Sequence, residues 1–285
     1  MSSTLKSFTE GDLVISVVGD GDGSGTYTDN QASPITLEEI TTTGEVVGTM
    51  VLPQTTTVVD GVTEYAVSGE YGSSSEGELQ LSQDGESLVI GGYGINAATY
   101  NAGGAAVYGD ARLAQSTSLT GTSYTAVPRV VADISYDGTV DTSTALYGVF
   151  NTNNIRSVAT VDGTSFYITG QGVKGDTTQG VFYAEDGASV ATAIDTSTDT
   201  RVTEIVNGVL YVSRDSTQGS GGTSNIASYG TTLPVSATQS EVLPAIDGSV
   251  TLTAAEENSL NASAVGTTVS LSPDPISSQA RPFCM

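Results

Sequence analysis

Histidine and tryptophan are absent from this 285-residue chain, cysteine occurs once, and lysine only as Lys6 and Lys174. Without histidine no Ser-His-Asp or Cys-His relay can be assembled, and zinc loses a principal nitrogen ligand. Cys284, next to the last residue, has no second cysteine to bridge. Long apolar runs are missing, so no segment reads as a membrane-spanning helix and no membrane insertion is expected. The first ten residues lack the apolar core of a cleaved secretory signal. The expectation is a protein that stays inside the cell, or leaves it by a route that reads no N-terminal signal. Positive charge is scarce: 8 Lys and Arg stand against 32 Asp and Glu, a formal net charge of -24. Such a surface repels phosphate backbones, which argues against nucleic acid as a partner, while it attracts divalent cations and favours solubility. A salt-adapted protein would have the same balance.

What is present points to β-structure. The 34 glycines, with abundant Ser and Thr, suit short strands joined by tight turns. Tyr (13) outnumbers Phe (5), so aromatic packing is expected where a hydroxyl can stay near a polar partner. The most informative feature is a repeat. The run Ile155-Arg156-Ser157-Val158-Ala159-Thr160, followed by Asp162-Gly163 and Ser165-Phe166-Tyr167-Ile168, returns as Thr200-Arg201-Val202-Thr203-Glu204-Ile205, Asn207-Gly208 and Val209-Leu210-Tyr211-Val212. Arg156 and Arg201 are 45 positions apart, as are Gly163 and Gly208. Asp-Gly and Asn-Gly favour the turn that joins antiparallel strands, so each copy reads as a hairpin. A period of roughly 40–50 residues is that of one four-stranded propeller blade. A third copy surrounds Gly85, with Leu88-Val89-Ile90 after it. It lies 78 residues before Gly163, which leaves room for a divergent blade between, drawn from residues 129–138 and 144–150. Third strands are expected at Val107-Tyr108, Val181-Phe182-Tyr183 and 226–229. Residues 13–18, 35–40 and 45–52 read as further strands, the last two as a hairpin. The one helix-like stretch is 253–260.

The sequence therefore predicts an all-β fold, a β-propeller of about six blades (six or seven) with four-stranded antiparallel blades. It would occupy residues 8–272, followed by a disordered or truncated tail at 273–285. Ring closure would pair residues 13–18 with 249–253 or 267–271, covering edge strands that otherwise invite aggregation.

Phe8-Thr9-Glu10-Gly11-Asp12-Leu13-Val14, Val18-Gly19-Asp20-Gly21, Ser33-Pro34-Ile35-Thr36-Leu37 and Asp137-Gly138-Thr139-Val140-Asp141 together resemble a recurrent bacterial module. It is the propeller-like N-terminal region of very large secreted or surface proteins, often followed by calcium-binding nonapeptide or immunoglobulin-like repeats. The resemblance implies an extracellular or cell-surface location, and export without a cleaved N-terminal signal. It carries no catalytic residues, because the family has no defined activity.

Three groups of residues invite a chemical reading. In Asp20-Gly21-Asp22-Gly23-Ser24-Gly25, oxygen ligands at alternate positions precede a glycine, as in a Ca2+ loop. Asp20, Asp22 and Ser24 are the candidate ligands, with Asp29 beyond them; the alternative is a strand-linking turn. Position twelve of that loop is Gln31 rather than a bidentate Glu. Second, Glu64, Glu70, Glu76, Glu185, Asp186, Asp195 and Glu204 could supply a paired carboxylate for glycoside hydrolysis, although nothing in their spacing pairs them. Third, Arg156 and Arg201 occupy matched positions, where an arginine is expected to pair with a carboxylate between blades. Gly91-Gly92 and Gly103-Gly104 lack the lysine of a phosphate loop. The function expected is non-enzymatic binding or adhesion to a surface glycan or protein through long polar rim loops carrying Tyr71, Tyr93, Tyr100 and Tyr124. The alternatives are a carbohydrate-active or lactone-hydrolysing propeller enzyme and a structural surface-layer or filament subunit.

Overall fold

Period-two alternation of β-branched and polar residues produces strands along much of the described chain. The computed structural model describes residues 3–19, 26–73, 75–109, 113, 124–173, 176–215 and 224–243, and those through Val242 belong to one unit. Sheet I contains β1 (Ser3–Thr4), β2 (Leu13–Val18), β3 (Ala32–Ile40) and β4 (Val46–Val51), in the order β2-β3-β4-β1. Its centre, β3, alternates from Ser33 onward, with Ile35 and Leu37 buried between half-exposed Pro34, Thr36 and Glu38. A small hairpin follows, β5 (Thr57–Val59) and β6 (Val62–Glu64). Its turn residues Asp60 and Gly61 both have positive φ (51° and 89°), as a two-residue type I′ turn requires.

Sheet II is built on β9 (Ser87–Tyr93), which pairs with β7 (Ser68–Glu70) and β8 (Gln80–Leu81) on one side and β10 (Arg129–Ser135) on the other. β10 in turn pairs with β11 (Val140–Asp141) and β12 (Ala145–Leu146). Between β9 and β10 lies helix α1 (Ala97–Tyr108), which starts where the Asn96 side chain accepts a hydrogen bond from Thr99 N. Two expectations are corrected here. No separate blade lies between the copies around Gly85 and Gly163: residues 129–135 are the third strand of the same sheet, and α1 with its flanking chain accounts for the longer spacing. Val107 and Tyr108 end a helix rather than form a strand, because Asn96 caps the segment and Tyr100 and Tyr108 bury their rings from one side of it.

Sheets III and IV are four-stranded, antiparallel and ordered as in the chain. Sheet III is β13 (Ile155–Thr160), β14 (Ser165–Gly170), β15 (Gly180–Glu185) and β16 (Thr192–Asp195). Sheet IV is β17 (Asp199–Val206), β18 (Val209–Asp215), β19 (Ser224–Tyr229) and β20 (Ser240–Val242). Between β17 and β18, Asn207 and Gly208 have φ of 51° and 76°, the type I′ turn that Asn-Gly favours. The third strands expected at 181–183 and 226–229 are present as β15 and β19.

The sheets stack face to face in chain order, each pair enclosing its own apolar layer. Ile35, Leu37 and Met50 of sheet I meet Leu88, Ile90, Val130 and Ile134 of sheet II. The opposite face of sheet II, through Val89 and Val131, meets Ile155, Val158, Phe166 and Ile168 of sheet III. Tyr167 and Val181 of sheet III then meet Leu210, Val212 and Tyr229 of sheet IV. The outer faces at the two ends of the series leave Leu13, Ile15 and Val51 exposed on sheet I and Val202, Val206 and Ile226 exposed on sheet IV. The described chain is therefore all-β: sheets III and IV are four-stranded and antiparallel, whereas β3 also pairs with β7 and so joins sheets I and II into ten strands, where about six four-stranded blades were expected along the whole chain. The proposed closing strands at 249–253 and 267–271, the helical stretch at 253–260 and the tail at 273–285 lie outside the described residues.

Candidate functional site

The calcium-loop reading falls largely where placement is not described. Asp20, Asp22 and Ser24 lie outside the described residues, whereas Asp29 is exposed on the segment leading into β3. Beside it Asn30 has a positive φ of 68°, and its N–H donates to Tyr71 O at 3.0 Å. Tyr71 in turn lies 5.9 Å from the ring of Tyr27. Gln31, at position twelve, turns its Oε1 back to accept from Thr28 N at 2.8 Å. Among the described residues, no group of three or more acidic or cysteine side chains is placed to hold a metal ion.

The repeated arginine forms the expected pair on sheet III. Arg156 Nη1 lies 2.6 Å from Asp199 Oδ1, with both side chains buried, and the same nitrogen donates to Thr200 O at 2.9 Å. Nη2 donates to Gln171 Oε1 at 2.7 Å. Arg156 belongs to β13 and Asp199 opens β17, so the pair joins sheets III and IV. Arg201, its counterpart on sheet IV, is exposed.

Of the seven acids singled out in the sequence, the fold brings two together. Glu70 closes β7 and Glu76 lies six residues on, past a turn in which Gly72 has a φ of 85°. Asn154, just before β13, donates its Nδ2 to Glu70 Oε2 at 3.1 Å and also to Glu76 Oε1. The Tyr93 hydroxyl donates to the same Glu76 oxygen, and Glu70 N donates to Glu76 Oε2 at 3.2 Å. Tyr93 is fully buried, with the Arg129 guanidinium 4.8 Å above its ring. Burial, together with the nearby charge of Glu70, raises the Glu76 carboxyl to about 7 against the hydrogen bonds that oppose the rise. A proton-bearing acid beside a charged one has the composition of an acid–base pair. Glu70 and Asn154 are nevertheless only 3% and 4% exposed, while Glu76 is half-buried with its carboxyl oxygens held by Tyr93, Asn154 and Glu70 N.

The other five acids are dispersed. Glu64 accepts from Thr142 N and Oγ1, Asp186 accepts from Thr144 Oγ1 at 3.1 Å, and Glu185 and Glu204 are exposed. Asp195 accepts from Ser197 N and Oγ and from Tyr229 hydroxyl at 2.9 Å. Burial would raise its carboxyl, but these bonds and the charge of Arg214 outweigh burial and hold it below its ordinary value. Asp195 lines a cleft of about 540 Å³ with Thr196, Ser197, Thr238, Gln239 and Ser240. Arg214 supports the floor by donating to Ser240 Oγ at 2.9 Å and reaching Ser197 Oγ at 3.4 Å. Sequence spacing did not single out this cleft. Its only local signal is Asp-x-Ser/Thr, a turn motif that also shapes Asp141–Ser143, Asp162–Thr164 and Asp176–Thr178.

Polar side chains bond across the line where sheets II, III and IV meet. Gln80 of β8 donates its Nε2 to Ser157 Oγ of β13 at 2.8 Å and to Thr203 O of β17 at 2.7 Å. Thr203 N donates to the same Ser157 oxygen at 3.1 Å. Strands of three consecutive sheets are thereby tied to one another by a few short polar side chains. The tyrosines expected on the rim divide: Tyr93 and Tyr100 are buried, while Tyr71 and Tyr124 remain half-exposed. Tyr93 and Tyr100 turned inward because their hydroxyls and rings complete the core between sheet II and α1. No protein-family model matches this chain, and no curated protein matches it significantly.

Proposed function

We propose that this chain is a non-catalytic binding module of the cell exterior or cell surface. Its sheets are read as successive blades of a β-propeller, its ligand as a surface glycan or protein, and calcium as a structural ion. The blade reading is supported by sheets that pack face to face in chain order, and by the Gln80–Ser157–Thr203 junction, where three of them converge. The observation that carries the binding reading is the Asp195 cleft. It offers hydroxyl and amide groups at the outer edges of sheets III and IV, in a volume suited to a small polar ligand. The paired acids, by contrast, are hydrogen-bonded within the protein, Glu70 buried and Glu76 half-buried. A carbohydrate-active enzyme would present its carboxylates to an open pocket; here Glu70 and Glu76 are turned to Tyr93 and Asn154.

Incubating the intact chain with an array of immobilised glycans and with surface-protein extracts tests the reading. Retention of one class is expected, weakened tenfold or more by Gln239→Ala and by Thr238→Ala with folding unchanged. Unaltered retention in both variants would move the ligand away from this cleft. Release of sugar from any glycan would favour the enzymatic alternative.

A further inference from the structure

We propose that Tyr27, Tyr71 and Asp29 form a surface site for an organic cation, the arginine or lysine side chain of a protein partner. The three residues lie where β2 ends and β3 begins. None of them belongs to the Asp195 cleft, so this site is independent of that one.

Main-chain bonds hold the group in place. Ahead of β3, Asn30 N donates to Tyr71 O at 3.0 Å, and Tyr71 N donates to Gln31 O at 2.8 Å. These bonds continue the β3–β7 pairing, in which Ala32 lies opposite Glu70, so Asp29 and Tyr71 sit on neighbouring strand extensions. Gly19, just after β2, lies beneath the rings. A Cβ there would be 2.8 Å from Tyr71 Cδ2 and Cε2 and 3.8 Å from Tyr27 Cδ2, so a bare backbone lets Tyr71 draw in beside Tyr27. A Cβ at Gly72 would be 2.5 Å from Asp29 Oδ1, which puts the carboxylate against the residue that follows Tyr71. The two ring centroids are 5.9 Å apart with their planes inclined at 36°. Both rings are half-exposed and Asp29 is exposed.

The chemistry of this group favours positive charge. Aromatic faces carry the negative part of the ring quadrupole and attract ammonium and guanidinium groups. A carboxylate beside them adds a full charge and a strong hydrogen-bond acceptor. Among the described residues Asp29 forms no ion pair. The chain as a whole, at a formal charge of -24, draws cations toward its surface, and the two rings add what a merely acidic patch lacks. A pair of half-exposed rings and one acid make a shallow site, which gives a small free cation few contacts. A side chain presented by a protein lays its aliphatic stem along the rings and brings contacts from its neighbours.

Titration of the intact chain with a blocked peptide carrying two arginines, read by NMR in about 0.15 M sodium chloride, tests the site. The same peptide with citrulline, the neutral counterpart, is expected to bind about tenfold more weakly or less. Tyr27→Leu leaves the net charge unchanged and should weaken the arginine peptide about two- to fivefold, whereas Tyr27→Phe keeps the ring and should match wild type. Asp29→Asn should weaken it at least as much, and Glu45→Gln, which removes an equal charge elsewhere, should change little. Wild-type binding by Tyr27→Leu, or equal losses in Asp29→Asn and Glu45→Gln, would overturn the proposal and leave only long-range attraction. If Tyr27→Leu does not fold, the comparison of the two acid variants decides. Tetramethylammonium bound as tightly as the peptide would overturn the side-chain assignment. Displacement of the peptide by neutral methyl glycosides would give the rings to a sugar instead. Displacement by calcium that depends on Asp29 and not on Tyr27 would give the carboxylate to a metal, and either result overturns the proposal.

Discussion

Arg156 and Asp199 are both buried and joined at 2.6 Å, so removing one partner strands the other's charge in a site that excludes water. Arg156→Ala is expected to lower stability by about 3–5 kcal/mol in urea melts, and the paired change Arg156→Met with Asp199→Leu by much less. A loss below about 1 kcal/mol in the single variant would show that water reaches the pair. The pairing itself was legible because arginine recurred at equal spacing and needed a carboxylate nearby. The Glu70–Glu76–Tyr93–Asn154 cluster was not legible. Its members lie 6 to 84 positions apart, and only the meeting of β7, β9 and the entrance to β13 brings them together. The Asp195 cleft was hidden for a different reason, since its motif is a turn signal used at several other places in the same chain.

At the scale of single elements, β9 shows how closely neighbouring sheets approach. A Cβ added at Gly91 would lie 2.7 Å from Ile155 Cδ1 and 3.3 Å from Val158 Cγ2, both on sheet III. Gly91→Val is therefore expected to force sheets II and III apart and cost about 1–3 kcal/mol, measured by chemical denaturation. A neutral outcome would mean that Ile155 can move aside freely. Hairpins were the most readable elements, because Asn207-Gly208 constrains the backbone locally whatever surrounds it. Helix α1 was the least readable. Ala97–Tyr108 has no apolar period and carries Gly103 and Gly104, the latter with a φ of 51° inside the element. Only the Asn96 cap marks its start. Missing that helix turned one inserted segment into an imagined extra blade.

Over the whole molecule, 32 acidic and 8 basic side chains repel one another through solvent. Raising sodium chloride from low to about 0.5 M is expected to raise the melting temperature by screening that repulsion. If the segment containing Asp20, Asp22 and Ser24 binds calcium, millimolar calcium should raise it further than sodium chloride of equal ionic strength. Asp22→Asn should remove that excess. Equal shifts with both salts would leave screening as the whole effect and set the calcium reading aside.

Among the described residues the apolar layers lie chiefly between sheets adjacent along the chain, with Gln80 adding a bond from sheet II to sheet IV, so cohesion here is largely a sum of nearest-neighbour terms rather than the property of one shared centre. Damage to sheet I or sheet IV should fray one end and leave the remainder folded. Damage to sheet II or III removes two layers at once and should divide the molecule. Graded proteolysis would then release fragments that end between sheets, and the middle pair should resist digestion longest.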